Sequence, residues 1–511
     1  MTTADYVIVG AGAAGCVLAD RLTAAGNATV LLVEAGSPEP NRNPEVQVPI
    51  LFPRMFGSAI DWGFQTVPQA GLDGRVIPYP RGKTLGGSTS IHAQLWTRGH
   101  RADYDDWARS GCTGWGYADV LPYFERAEAD RIQIAGIRYP SPVTPDFLSA
   151  CARLGYAPAD GQPDGYILAR ATHSHGLRWS NADAYLGAAG SRPNLTTLTD
   201  ALVRRVLFDG TRAVGVEVET ANGVEQLTAN REVLLAAGAI GSPQLLQLSG
   251  VGPADHLAEH GIALVADAPS VGANLTDHLL VPMAFSARGF DSPGVDAGPE
   301  EIERYLADRV GPMDSILSEA LVFLRSREEL AVPDLEIVLL LGALGMHETT
   351  AQHGLSLGVV LLRPESSGTV RLRSADPRDT PLIDPAFLSD RDGADLAATT
   401  AGVRAAQRIL EEPGFAKWWE KPLTHDALSH DSADIADYIR RTGENIHHPV
   451  GTCRMGADPA SVLDPALRVR GTTGLRVVDA SAIPTPVRAH THAPVTMLAE
   501  RASDLIAASA G

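Results

Sequence analysis

The sequence predicts an α/β fold of two domains, one built on a parallel βαβ unit and the other on an antiparallel sheet flanked by helices. Three observations predict it. The stretch "DYVIVGAGAAGCVLADRLTAAGNATVLLVEAG" runs strand, glycine turn, alanine-rich helix, strand within its first 36 residues. In the middle of the chain, "LEIVLLLGAL", "LSLGVVLLR" and "GTVRLRS" read as strands of one antiparallel sheet, the last two joined by "PESSG". Before and after them, "PEEIERYLADRV" and "LAATTAGVRAAQRILEE" carry apolar residues at helical spacing. A chain of 511 residues, 44% hydrophobic and 20% charged, has interior enough for two such domains.

Composition narrows the partners. A formal charge of -19 repels phosphate backbones and anionic lipid, so neither nucleic acid nor membrane is an expected partner. The longest apolar run, "IVLLLGALGM", falls well short of the ~20 residues a bilayer requires and reads as a buried strand. Cys16, Cys112, Cys151 and Cys453 are too scattered for a disulfide scaffold and suit a reducing compartment. "MTTAD" leads straight into a strand with none of the pattern of a signal peptide, so a cytoplasmic protein is expected.

In the opening βαβ unit, Gly10 permits a tight turn, Gly12 lets backbone approach a pyrophosphate, and Gly15 lets helix and strand pack closely. Ala13 and Ala14 start the helix facing the phosphates, and Glu34, followed by Ala35, ends the second strand where an acid accepts from ribose hydroxyls. The fingerprint alone fits NAD or FAD; its place at the N-terminus leans toward FAD. "RGKTLGGSTS" is a glycine-rich loop, with Arg81, Lys83, Gly86, Gly87, Ser88 and Thr89, able to lay backbone N–H groups on a pyrophosphate or a flavin edge. In "REVLLAAGAIGSPQLL" an apolar strand meets the small residues Ala237 and Gly238, and Ser242-Pro243 is expected to open a helix.

These segments, with "PYPRGKTLGGSTSIHAQLWTRGHRADYDDWA", "GWGYADVLPYFERAE", "VLLAAGAIGSPQLLQLSGVGP" and "LRVVDASAIPTPVRAHTHAPVTMLAERASDLI", resemble the glucose-methanol-choline (GMC) family of FAD-dependent oxidoreductases, in family order over nearly the whole chain. The resemblance implies a Rossmann-type FAD-binding domain from residues 1–155, 185–280 and 440–511, and a substrate domain from 156–184 and 281–439. It also places Thr84, Ser90, Ile91, His92 and Ala93 at the cofactor, Val203 on the adenine side, and Asp479 and Ala480 by the ribityl and pyrophosphate groups. His492, Ala493 and Pro494 would meet the flavin end, where the positive end of the C-terminal helix faces N1 and the C2 carbonyl. Some relatives bind FAD covalently through a histidine at the position of Ile91; isoleucine forms no such bond, so dissociable FAD is expected. His92 stands where the family often has asparagine.

The family pattern HPxGTxRMG aligns its catalytic histidine with His448 in "ENIHHPVGTCRMG" and leaves His447 without a family role; the second active-site position falls on His492. Imidazole suits a base because its pKa lies near working pH. The implied reaction removes the hydroxyl proton of a primary alcohol at one imidazole while hydride passes to flavin N5, with His448 as base and His492 orienting, although the two could exchange roles. The range of substrates starts from an aromatic hydroxymethyl group, with sugar and aliphatic alcohols next, and O2 or another acceptor reoxidises the flavin. A flavin-containing hydroxynitrile lyase of the same fold is the alternative. No metal is expected: "HTH" at His490 and His492, even with His447 and His448, is completed by no carboxylate or cysteine pattern. The Gly/Pro-rich stretches "RGFDSPGVDAGPE" and "GSPEPNRNPEVQVPILFPRMFG" read as loops, the first a candidate substrate gate.

Overall fold

The computed structural model describes residues 2–38, 43–345, 348–349, 352–424 and 426–509. Its first sheet starts from the predicted unit. Strand Thr2–Val9 is buried along its second half and pairs in parallel with Val30–Val33 on one side and Gly223–Leu235 on the other. Leu195–Leu198 extends the parallel edge beyond Val30–Val33, and Leu475–Val477 adds to Gly223–Leu235 from the far end of the chain. Arg212–Thr220 and Leu202–Asp209 complete the sheet as antiparallel neighbours. Gly10 turns the chain at φ +100°, and helix Ala13–Thr23 then lies so close that a Cβ on Gly15 would stand 1.8 Å from the Gly10 carbonyl oxygen. The C-terminal helix His492–Ser509 packs on the same helix, so both chain ends share one core.

The second sheet has the order Trp419–Pro422, Leu279–Ala287, Gly354–Leu361, Leu335–Leu340, Ser318–Leu324, Gly165–Leu168, and every pairing is antiparallel. Strand period decides its two faces. Leu279, Val281, Ile337, Leu339 and Val359 point to a core shared with helices Ala394–Glu411 and Val143–Arg153. Leu280, Ser318, Val338 and Leu340 point the other way, into a cavity between the two sheets.

Three expectations need correcting. "GTVRLRS" does form a strand, Gly368–Arg371, but it pairs with Ala273–Leu275 and Leu382–Asp384 in a separate three-stranded sheet. A Cβ on Gly368 would sit 1.7 Å from the Asp384 carbonyl oxygen, and Val370 packs with Ile383, Leu275 and Tyr79 rather than under the larger sheet. Of the two loops, it is the second that reaches the cavity, through Phe52 and Phe56; its residues 44–47 and 49–55 are short helices, and 39–42 lie outside the described residues. The candidate gate does not line the cavity.

The third correction concerns Pro243, which lies inside helix Gly238–Leu248 rather than opening it. Proline has no N–H for the carbonyl four residues back, so the Ala239 oxygen loses its helical donor. The Thr452 hydroxyl replaces that donor at 2.7 Å, fully buried, and ties the "GT" of "ENIHHPVGTCRMG" to the helix that follows strand Gly223–Leu235. Thr452→Val keeps the shape and leaves that oxygen unpaired; a loss of about 1–3 kcal/mol is expected in denaturant unfolding.

Candidate active site

The cavity holds about 300 Å³ and runs from the glycine fingerprint to the underside of the antiparallel sheet. At one end Gly10, Gly12, Ala13, Ala14, Glu34 and Ala35 line it, with Val203, Ala237, Gly238, Asp479 and Ala480 along one wall. Arg81, Gly87, Ser88, Ile91, His92 and Ala93 line it too, Gly87 close against Gly12, as do His448 and His492. Several further positions named from the sequence stand behind that lining. Gly15 packs on Gly10; Gly86, at φ +87°, donates its N–H to the Ala11 carbonyl at 2.8 Å. The Thr84 hydroxyl donates to the Ser37 carbonyl and that of Ser90 to the Leu85 carbonyl. Ala493 and Pro494 are buried in the first turn of the C-terminal helix, which starts at His492 itself.

The lining suits FAD. Glu34 accepts the Ala11 N–H and the Gly36 N–H, both at 2.9 Å, which fixes its carboxyl at the end of its strand as an acceptor for hydroxyls. Burial, only partly countered by those two N–H groups, pushes its pKa up to about 7. Asp479 accepts from the Gly238 N–H and the Ser242 hydroxyl with one oxygen and from Ser481 with the other, clamping two turns of the cavity lining together. Beside Gly12 there is open room: a Cβ there would meet only the Ala236 oxygen, at 4.0 Å.

His448 owes its place to strand register. Leu279 stands opposite Asn445 and Thr276 opposite Val450, so residues 277–278 on one strand face 446–449 on the other. The surplus residues bulge, with His447 at φ +66° and its ring edge-on to Phe56, 5.2 Å between centroids. Arg81 holds the bulge by donating to the His447 carbonyl at 2.9 Å. The His448 N–H donates to Asp277 at 2.8 Å, and the other Asp277 oxygen accepts the Tyr79 hydroxyl at 2.5 Å; burial raises that carboxyl's pKa to about 6.

Two hydrogen-bonded chains of imidazoles reach the cavity. In the first, His448 Nδ1 lies 3.0 Å from His278 Nδ1, His448 Nε2 lies 3.2 Å from His490 Nδ1, and His490 Nε2 lies 3.1 Å from Glu336 Oε1. Glu336 shares the cavity-side face of its strand with Val338 and Leu340 and is 1% exposed. In the second, His492 Nδ1 is 3.0 Å from His92 Nε2 and its Nε2 is 2.7 Å from the Asn181 side-chain oxygen. Burial lowers the pKa of His448 and His92 well below 6.5, and that of His278 and His492 to about 3, with neighbouring His490 and Arg178 adding to the effect on His448 and His492 respectively.

Sequence reasoning did not find His278, His490, Glu336 or Asn181 as site residues. One signal was available: Glu336 is a lone acid inside the apolar run "LEIVLLLGAL", and a charge buried mid-strand needs a partner. The other was the alternation in "HTH", which puts His490 and His492 in separate chains.

Known proteins match this arrangement along its length. The family profile described as GMC oxidoreductase matches residues 4–280 with its N-terminal part and residues 364–499 with its C-terminal part. An uncharacterised GMC-type oxidoreductase of Mycobacterium tuberculosis (strain H37Rv) is 43% identical, covering 99% of both chains. An alcohol dehydrogenase (acceptor) of Pseudomonas putida is 39% identical over 98% of this chain and 95% of its own. Among solved structures, pyridoxine 4-oxidase from Mesorbium loti superposes with a TM-score of 0.89 at 31% identity, over 98% of each chain. A formate oxidase variant of Aspergillus oryzae gives 0.92 at 30%, over 99% of this chain and 98% of its own. The chain belongs to the GMC family of FAD-dependent oxidoreductases, enzymes that act on CH–OH groups.

Proposed function

We propose that this protein oxidises a primary alcohol to its aldehyde, that the alcohol carries an aromatic or otherwise apolar ring, and that His448 takes the hydroxyl proton. One observation carries the reading: His448 lines a mostly apolar cavity to which Phe52, Phe56, Ile91, Leu95, Val338 and Leu340 contribute side chains, with Gln94, Ser318, His490 and His492 among its polar members. Such a wall favours a ring over a polyhydroxylated sugar, whose hydroxyls would lose water without gaining partners. The 31% identical neighbour named pyridoxine 4-oxidase supports the same substrate class. When bound, FAD supplies the hydride acceptor; Ile91, a hydrocarbon side chain at the family's linking position, supports dissociable binding.

The protein's part is to hold the alcohol and receive its proton. Burial keeps His448 neutral; a hydroxyl that displaces the His490 contact meets the Nε2 lone pair once the ring's one proton sits on Nδ1, facing His278 Nδ1. As positive charge grows on His448, the imidazole–carboxylate pair of His490 and Glu336 stabilises it. Glu336→Gln keeps the shape and removes the charge; a roughly 10- to 100-fold slower alcohol-dependent flavin reduction is expected, with flavin content unchanged. A panel of benzylic, aliphatic and sugar alcohols, assayed in parallel for peroxide and for dye reduction, tests the substrate and assigns O2 or another acceptor. Activity confined to sugars would overturn the reading. Among the described residues no helix is long and apolar enough to cross a membrane, and the four cysteines are free and buried, which supports placement in the reducing cytoplasm.

A further inference from the structure

Arg178 is 4% exposed and makes no ion pair among the described residues. Its Nε donates to the Val46 carbonyl at 2.8 Å. Its Nη1 has two hydrogens and two targets on one residue, the His92 carbonyl at 2.6 Å and His92 Nδ1 at 2.9 Å. Its Nη2 is buried without a partner among the described residues. A cation this deep needs a reason beyond packing, and its contact with His92 supplies one.

Guanidinium has no acceptor, so His92 Nδ1 must accept. The single proton of that neutral ring is then on Nε2, which donates to His492 Nδ1 at 3.0 Å. His492 therefore carries its own proton on Nε2 and donates it to the Asn181 oxygen at 2.7 Å. The Asn181 amide is oriented independently, because its nitrogen donates to the Ala13 carbonyl at 2.8 Å and to the Thr496 hydroxyl at 3.1 Å. Both ends of the chain agree on one direction of donation, and it leaves His492 with no lone pair to offer a substrate. The other charged or titratable groups acting on this chain are His173, beside His92, and Asp183, which acts on Arg178.

We propose that Arg178, acting through His92, is a positioning residue that locks His492 as the neutral Nε2–H tautomer and so reserves proton removal for His448. The assignment of a proton-accepting role to His448 rests on the function proposed above; the tautomer lock does not. The lock also gives a defined role to His92, the residue that departs from the family's asparagine. Its two ring nitrogens join a donor to an acceptor, which the shorter amide would do with different reach and no conjugated ring.

The test is long-range proton–nitrogen NMR of the FAD-loaded protein labelled with [15N]histidine, with the His492 signals identified from a His492→Asn sample. The expected wild-type spectrum has His492 protonated on Nε2 only, with no titration across neutral pH. Arg178→Met should let the tautomers of His492 exchange and shift its titration upward toward the ordinary histidine value, while adding a second ionisation to the acid side of the flavin-reduction profile. Arg178→Lys, which keeps a donor and a charge, should restore the wild-type pattern. Should Arg178→Met fail to fold, His92→Phe cuts the same link with the guanidinium in place and should release His492 in the same way. A His492 proton on Nδ1 in the wild type, or an unchanged tautomer in both Arg178→Met and His92→Phe, would overturn the proposal. If instead no alcohol is oxidised, the spectra still decide the lock, so the two failures are distinguishable.

Discussion

His448→Ala is expected to slow alcohol-dependent flavin reduction by about 10² to 10⁴, the usual worth of a positioned base, while leaving FAD content and the visible spectrum intact. The histidine is 9% exposed and its backbone, not its ring, is what Asp277 holds, so the bulge at 446–449 survives the change. Stopped-flow mixing with an alcohol under anaerobic conditions reads the rate constant directly. The pH dependence has a defined sign. A base works in its neutral form, and burial keeps His448 neutral well below 6.5, so wild-type activity should persist into mildly acidic solution and decline only on the acid side of that value. A variant with rates within a fewfold of wild type would remove His448 from the reaction and direct attention to His490, which shares its chain.

Gly12→Val should yield a folded protein that takes up no FAD. The usual objection to a glycine substitution, that it wrecks the turn, has little force here: Gly12 has φ -79°, and the Cβ would meet no atom nearer than the Ala236 oxygen at 4.0 Å. The added isopropyl group instead enters the cavity at the fingerprint, where the proposed site would bring the FAD pyrophosphate against backbone. Circular dichroism and thermal unfolding should match those of the wild-type apoprotein, and the purified protein should be colourless. Gly15→Val makes the contrast, since its Cβ would collide with the Gly10 carbonyl and should destabilise the protein itself. A yellow Gly12→Val protein would mean that the cofactor lies elsewhere.

The extent to which this site is legible in the sequence follows from how local each requirement is. The turn at Gly10, the close packing at Gly15 and the acid at Glu34 are set by neighbours within one βαβ unit, so spacing alone reveals them. His448 and His492 were legible through motif resemblance, yet the sequence does not say what they touch. His278 reaches His448 only because strand Leu279–Ala287 pairs with residues 444–445, and Glu336 reaches His490 across 154 residues of chain. Arg178, His92, His492 and Asn181 converge from three separate segments. Sheet membership was hidden for a different reason. "GTVRLRS" alternates as any half-buried strand does, and its pairing depends on which edge lets Gly368 approach the Asp384 carbonyl. Pro243 misled because proline usually marks a helix start; here the Thr452 hydroxyl makes an interior position tolerable.

The most direct test of the account is an anaerobic titration of the FAD-loaded protein with a benzylic alcohol, followed at the flavin absorbance band, and repeated with the alcohol deuterated at its carbinol carbon. Bleaching that slows on deuteration, and that nearly vanishes in His448→Ala, is the predicted result. A flavin that stays oxidised with every alcohol, while the protein cleaves a cyanohydrin, would make the enzyme a lyase and contradict the account.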